Sequence, residues 1–331
     1  GLQTKNQKEK ILFKNLLVQK VKNINPYLIN GSNTIIKKRN KNLSGLPKME
    51  YGNMPLDGGH LLLNSEEKEN LIKSFPKSEK YIRPILGSRE FINSHQRFCL
   101  WFEGENLQEI NSITPLKDLI EKVKQSREQG GIIAKNYAHI PHRFYSVNIA
   151  KKSQIIIPRV SSERRDYVPM GFLSSDFIIS DSAQAIYDSE PFVFSVLNSK
   201  MHMVWFKVTA GRLKSDYRYS SALSYNTFPF SSISNQRKEE LTQCTLKIID
   251  ERLKHSEKTL AQLYDPNKMP EGLKEAHHQN DLAVERCYRS TPFNSDEERL
   301  EYLFKLYEKM IQEDKDKDTL FAKEKKTRKR K

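Results

Sequence analysis

Four side chains in one decapeptide have the types and the spacing to read nucleic acid. Residues 211–220, GRLKSDYRYS, place Arg212, Lys214, Asp216 and Arg218 at alternate positions. In an extended segment such alternation puts all four on one face. Cations suit phosphates and guanine edges, and a carboxylate in a DNA groove suits only an amino donor such as cytosine N4. The same four residues also suit a plain solvated strand face, where an exposed ion pair contributes under about 1 kcal/mol. An apolar run from Val196 to Val208 leads into the decapeptide, Ala210-Gly211 makes the turn, and Asn226-Thr227-Phe228-Pro229-Phe230 closes the segment.

Other groups with chemical potential read as structure. Asn25-Pro26-Tyr27-Leu28 imitates the Asn-Pro-Pro-Tyr loop with which amino-methyltransferases hold a flipped base. It lacks the second proline, and no glycine-rich cofactor loop precedes it, so a turn is expected. Asp57 followed by Glu66 and Lys68 imitates a metal-dependent nuclease. However, Asn64 with Glu67 three residues on is a capping box, which puts Glu66 and Lys68 at the start of a helix ending before Pro76. His139 and His142 flank Pro141 and are expected in a loop or core rather than on a metal. His277-His278 reads as one packing and one surface residue on a helix. Arg159-Val160-Ser161-Ser162-Glu163-Arg164-Arg165 is a basic loop between strands, either a surface turn or a phosphate or base contact from a sheet edge. The sequence contains no P-loop, nucleophile elbow, zincin motif or dinucleotide fingerprint. It offers binding machinery and no catalytic constellation.

The elements that must position these residues follow from the patterning. At 331 residues the chain is long enough for about two domains. The apolar–polar alternation of residues 81–103 predicts two strands around Asn93-Ser94. Leu116, Leu119, Ile120 and Val123 predict a helix over 114–129 that ends at Gly130-Gly131. Strands are expected at Phe144–Ile149, Gln154–Pro158, Asp166–Met170 and Phe177–Ser180, with a short helical turn starting at Ser180 or Asp181. Beyond Pro229 the signals become helical. One long helix is expected over 235–263, with Leu241, Leu246, Ile249, Leu253, Leu260 and Leu263 buried, followed by helices over 271–289 and 295–312. The reading is α+β: a twisted sheet with inserted helices over 45–230, an all-helical module over 231–312, a basic segment over 1–44 and a charged tail over 313–331.

Charge needs the same dissection. The net charge is +15, but residues 1–50 hold 11 Lys/Arg against 2 Asp/Glu and residues 323–331 hold 7 against 1. The intervening chain is balanced, so the basic ends point to nucleic-acid affinity without locating a specific site. No apolar run approaches the ~18 residues of a membrane span. The first residues, GLQTKNQKEK, lack both an initiator Met and a signal-peptide core, as expected for the interior of a longer polypeptide. Cys99, Cys244 and Cys287 are far apart, which suits a reducing, cytoplasmic location.

Several strings resemble the C-terminal half of the MmeI-like, type IIL (IIG) restriction-modification enzymes. They are Gly52-Asn53-Met54-Pro55 with Asp57-Gly58-Gly59, Tyr81-Ile82-Arg83-Pro84, Gly87-Ser88-Arg89-Glu90-Phe91-Ile92 and Arg97-Phe98-Cys99-Leu100-Trp101. They continue through Ser161-Ser162-Glu163-Arg164-Arg165, Asp181-Ser182-Ala183-Gln184-Ala185-Ile186-Tyr187, Gly211-Arg212-Leu213, Tyr217-Arg218-Tyr219-Ser220 and Asn226-Thr227-Phe228-Pro229. Thr259-Leu260-Ala261-Gln262-Leu263-Tyr264 and Met269-Pro270 extend the resemblance into the helical part.

That resemblance implies a target-recognition domain for double-stranded DNA followed by a C-terminal helical domain, with the basic N-terminal segment leaving a methyltransferase. In the family, nuclease and adenine-N6 methyltransferase domains, using Mg²⁺ and S-adenosylmethionine, lie in the same polypeptide. The resemblance implies no cofactor for the present residues. It further implies that Lys214 with Asp216, and Arg159 with Asp181, face bases, each pair suited to a G·C pair. Arg164, Arg165, Arg212 and Arg218 are then expected on phosphates. The competing expectations are a stand-alone enzyme, which the motifs do not support, and a regulatory protein that binds a methyltransferase partner instead of a base sequence.

Overall fold

The computed structural model describes residues 10–14, 17–102, 104 and 107–328. The architecture is α+β, mostly antiparallel, with a helical C-terminal part. Expectations for residues 1–9 and 329–331 lie outside the described residues.

β1 (Lys10–Lys14) and β2 (Leu17–Val21) form a ribbon. The Asn25-Pro26-Tyr27 segment is a turn, as expected: the Asn25 carboxamide oxygen accepts from Tyr27 N at 2.9 Å and Ile29 N at 3.2 Å. The remaining strands of the first half are β3 (Glu50–Tyr51), β4 (Leu62–Leu63), β5 (Ile82–Leu86) and β6 (Phe98–Leu100). α1 (Ser65–Ser74) begins on the predicted capping box, with Asn64 and Glu67 bonded reciprocally. The segment expected to be two strands around Asn93-Ser94 is strand, helix, strand. α2 (Ser88–Asn93) sits between β5 and β6 and ends at Ser94, which adopts the left-handed conformation. The aromatic alternation misled here because Phe91 packs one side of a helical turn.

α3 (Leu107–Asn111), α4 (Thr114–Gln129) and α5 (Ile132–Asn136) follow. Leu116, Ile120 and Val123 of α4 are buried against Leu61, Tyr81, Leu100 and Trp101 in one core. Two expected strands are absent. Residues 144–149 are irregular, with Ser146 N donating to Met54 O and Asn148 N to the Asn53 side chain, while 166–170 enter the main core as an irregular segment.

The second half holds β7 (Ser153–Pro158), β8 (Val160–Ser161), β9 (Gly171–Ser174), β10 (Ile178–Ile179) and β11 (Ala183–Tyr187). The turn expected from Ser180 is present but is a single one, closed by Ala183 N donating to Ser180 O at 3.0 Å, and the chain then enters β11. Pairing on both sides, with β7 and β3, outweighs the helical preference of Ala-Gln-Ala. α6 (Pro191–Leu197) and α7 (Lys200–Thr209) carry the apolar run, which is nearly all buried. β12 (Gly211–Leu213) and β13 (Asp216–Arg218) come next. The sheets run β10-β5-β6-β4, β3-β11-β7-β9 and β12-β13-β8.

The C-terminal part has α8 (Asn235–Leu253), α9 (Leu260–Leu263), α10 (Glu271–Glu285) and α11 (Asp296–Arg328). The long helix expected over 235–263 is thus two, and its buried face is rotated. Leu241 and Leu263 are buried with Cys244, Thr245 and Ile248, whereas Leu246 and Leu253 are exposed. One core joins both parts: Ile155 and Tyr167 from the sheet side share it with Trp205, Phe228, Leu273 and Phe304. Among the described residues no helix is long and apolar enough to cross a membrane.

Candidate nucleic-acid interface

The decapeptide is a hairpin rather than one extended strand. Gly211 pairs with Arg218, Arg212 with Tyr217 and Leu213 with Asp216, which leaves Lys214-Ser215 as the turn. The expectation of four charged side chains on a single strand face is corrected accordingly: Arg212 belongs to one arm, Lys214 to the turn, and Asp216 and Arg218 to the other arm. Lys214 makes the reversal possible with φ +56°, a left-handed conformation that costs a non-glycine residue roughly 1–2 kcal/mol. Lys-Ser is not a glycine- or asparagine-based hairpin signature, so the reversal left no mark in the sequence.

Alternation does hold within β13. Tyr217 and Tyr219 turn inward and are buried, which leaves Asp216 and Arg218 on the opposite side. The two rings lie 5.5 and 4.9 Å from that of Phe206 on α7. The Tyr219 hydroxyl is 2.8 Å from His202 Nε2. Burial pushes the His202 imidazole down to about 3, so it is neutral at ordinary pH and Tyr219 is its polar partner. The apolar run before Gly211 is therefore the seat on which the hairpin rests.

β13 also pairs with β8, Tyr217 with Ser161 and Arg218 with Val160, and Tyr219 N donates to Arg159 O at 2.8 Å. That pairing brings the basic loop 159–165 beside the hairpin. Arg212 donates to Ser215 O at 2.7 Å and to Glu163 at 3.1 Å, and its guanidinium lies 4.0 Å from the centre of the Tyr217 ring. It braces the turn. Arg164 is 68% exposed and only 3.8 Å from Asp265 across to the helical part. Arg165 is half-buried; desolvation lowers its pKa, and the charges of Asp216 and Asp265 oppose that shift. Lys214 and Arg218 are exposed, and their side chains make no hydrogen bond or ion pair to other described residues.

The second pair is brought together, though not side chain to side chain. Arg159 Nη1 donates to the backbone oxygen of Asp181 at 3.1 Å, which leaves the Asp181 carboxylate outside that contact. Burial raises the Asp181 carboxyl above its usual range, opposed by its own backbone N–H and by the Arg159 charge. Asp181 is fixed by its N–H donating to Asn53 O at 3.0 Å, and the Asn53 carboxamide donates to Ile179 O at 3.0 Å. Gly52 permits this approach: a Cβ there would lie 2.1 Å from Ser180 O. Residue-level reasoning missed Tyr51, Asn53 and Ser88 as parts of this site. The only signal for them was their place in or next to the strings Gly52-Asn53-Met54-Pro55 and Gly87-Ser88.

The lookalike motifs are accounted for. Asp57 accepts from Gly59 N at 3.0 Å and from Leu61 N at 2.5 Å, so both oxygens serve a turn, while Glu66 and Lys68 lie on α1. This donor set does not fit a magnesium ion, and among the described residues no group of three or more His, Cys, Asp and Glu is arranged to hold a metal. His139 and His142 are in a loop, His277 is buried and His278 exposed, as expected. Arg127 gave no signal in the sequence. It is buried and donates to the carbonyls of Pro55, Leu56, Tyr137, Ile140 and Arg143, stapling two loops to α4.

Comparison with known proteins adds the context. Residues 30–232 match the family described as MmeI, target recognition domain, and residues 233–313 match MmeI, C-terminal domain. DNA methyltransferase A of Bacillus subtilis (strain 168) is 43% identical over 304 residues, which is 92% of this chain and 34% of that protein. The solved structure of the type IIL restriction-modification enzyme MmeI in complex with DNA is similar with a TM-score of 0.84 at 36% identity, covering 93% of this chain and 42% of that one. The chain thus spans about a third of the length of its curated relative.

Proposed function

The chain belongs to the MmeI target-recognition family and carries that family's C-terminal domain, and from this we propose that it reads a specific sequence of double-stranded DNA for a type II restriction-modification enzyme. In this reading Lys214 and Arg159 donate to guanine O6 and N7, and Asp216 and Asp181 accept from cytosine N4, each pair addressing one G·C pair. Arg164, Arg165 and Arg218 meet phosphates and fix the register. Arg212 braces the hairpin through Nη1 and keeps Nε and Nη2 for a phosphate, so its share is both structural and electrostatic. The methyltransferase and nuclease partners, with S-adenosylmethionine and Mg²⁺, belong to the remainder of a longer polypeptide or to a partner.

The observation that carries the reading is the pairing of β13 with β8. It builds a single surface from two segments about 55 residues apart, 159–165 and 211–218. The Lys214 and Arg218 side chains stand on that surface with no internal partner among the described residues, so both are free to meet a ligand.

The test is selection from a randomised duplex library at two salt concentrations. An enriched motif with G·C pairs that survives the higher salt is expected. Binding without a motif, lost as salt rises, would mean that only the basic ends engage DNA, and the reading would fail for this chain. The double substitution Lys214→Glu with Asp216→Arg is expected to change the preferred base at one position by about 1–3 kcal/mol and to leave the others unchanged.

A further inference from the structure

Tyr51 is placed against the guanidinium of a proposed base reader. It is 53% exposed, unusual for a tyrosine on a paired strand. Tyr51 lies opposite Gln184, and Gln184 opposite Ile157, so the three side chains share one face of the β3-β11-β7 sheet. Arg159 comes two residues after Ile157, and its guanidinium carbon lies 4.9 Å from the centre of the Tyr51 ring.

We infer that Tyr51 is a positioning residue for base readout by Arg159; the inference rests on the proposed reading of a base pair by Arg159 and Asp181. A free arginine side chain samples many rotamers, and a bidentate contact to guanine needs the guanidinium plane and its rotation fixed together. Here the two restraints come from different groups. The Tyr51 ring sets the plane from one side by a cation–π contact. The Asp181 backbone oxygen, 3.1 Å from Nη1, sets the rotation within that plane. The arginine backbone is held separately, because Arg159 N donates to Ser88 Oγ at 3.1 Å and Arg159 O accepts from Tyr219 N at 2.8 Å. Nε and Nη2 have no partner among the described residues, so one edge of the fork is left for a base.

The ring itself is anchored by backbone. Tyr51 O accepts from the Asn148 carboxamide at 3.4 Å, and the next residue is Gly52, whose close approach to Ser180 seats the strand. The ring can therefore be removed without touching the contacts that fold the site. The Gly52-Asn53-Met54-Pro55 string also acquires a purpose. Asn53 holds Asp181, and the residue before Gly52 holds the partner arginine.

The experiment compares Tyr51→Leu, Tyr51→Phe and Arg159→Ala with the parent chain in the randomised-duplex selection, each variant checked by thermal unfolding. Arg159→Ala is expected to abolish preference at one base-pair position, which identifies that position. Tyr51→Leu is expected to weaken discrimination at the same position by about 2- to 5-fold, and Tyr51→Phe to preserve it. A second readout needs no DNA. The Arg159 Nε–H resonance, assigned by its loss in Arg159→Ala, should carry a ring-current shift that Tyr51→Leu removes and Tyr51→Phe keeps. Loss of preference in Arg159→Ala with no change in Tyr51→Leu would overturn the positioning role and leave the base reader standing. No change in Arg159→Ala would overturn both. An absent ring-current shift would overturn the stacking arrangement even for a chain that selects no DNA.

Discussion

The 211–218 hairpin and the joint between the sheet and the C-terminal helices are both rich in polar groups, but the two sites use them in opposite ways. At the hairpin Lys214 and Arg218 are exposed with no partner among the described residues, and Leu213 is 53% exposed. At the joint the polar groups are buried or half-buried and bonded to one another. Tyr167 O–H donates to Asp281 at 2.6 Å, Lys200 N donates to the other Asp281 oxygen at 2.7 Å, and Tyr167 stacks on His277 at 4.1 Å. His277 Nε2 is 2.8 Å from the Tyr264 hydroxyl, which accepts from Arg252, and Arg252 reaches Met170 O at 2.7 Å. Exposed polar groups contribute little to folding and are free for a ligand, whereas buried ones must be satisfied and fix one arrangement of the parts. The molecule thus separates a surface whose residues can change at little cost in stability from a joint whose residues cannot.

Asp281→Ala tests this separation where the effect should be largest. It leaves the buried Tyr167 hydroxyl and the half-buried Lys200 N–H without this acceptor, and should cost about 2–4 kcal/mol in urea unfolding. Asp281→Asn keeps the shape and should cost less, but it should remove a pH dependence. Burial pushes the Asp281 carboxyl up to about 7, opposed by the Tyr167 and Lys200 contacts, from roughly 3.9 in the unfolded chain. A folded-state pKa raised in this way gives stability that is fully present below about pH 4 and is lost as pH rises to about 7. The stability difference between the parent chain and Asp281→Asn should therefore drift against the parent across that window and level off above it. A difference independent of pH would show that Asp281 is ionised throughout.

Tyr219→Phe addresses the boundary between the two regions, since Tyr219 belongs to the hairpin segment and its hydroxyl to the core. The substitution leaves His202 Nε2 without its partner, and His202 Nδ1 already has none, so a loss of about 1–2 kcal/mol is expected in thermal or urea unfolding. A loss near zero would mean that the Phe206 ring contacts and the pairing with β8 hold the hairpin without help from the His202 hydrogen bond.

The legibility of these regions in the sequence follows the range of the forces that build them. The capping box at Asn64 and Glu67 and the buried stripe on α4 were readable because both are set within a few residues. The strand at Ala183–Tyr187 was not, because its two partners lie far off in the chain and local preference points to helix. The C-terminal helices were readable as helices, but the buried face of α8 was not. Which leucines are covered depends on where α6 and α10 pack, so Cys244 and Thr245 are inside while Leu246 is outside. At the candidate interface the charged types were readable and their geometry was not. Arg159 and Asp181 meet through a backbone oxygen, Arg212 Nη1 is engaged by Ser215 and Glu163, and the hairpin reversal rests on one strained lysine.

That lysine permits the smallest and most discriminating prediction. In Lys214→Gly the left-handed conformation becomes free of its penalty of roughly 1–2 kcal/mol, while glycine brings an unfolded-state entropy cost of roughly 0.5–1 kcal/mol. The first outweighs the second only modestly, so stability should rise by roughly 0–1.5 kcal/mol. The register of the hairpin should be kept, because Tyr217 and Tyr219 still fix it from below. Preference at the base pair assigned to Lys214 and Asp216 should nevertheless fall, by about 1–3 kcal/mol in the duplex selection. A marked destabilisation would place Lys214 among the residues that fold the hairpin, and the contrast between a replaceable surface and a fixed joint would fail at its most exposed point. Unchanged stability with unchanged preference would instead keep the contrast and move base readout away from the hairpin turn.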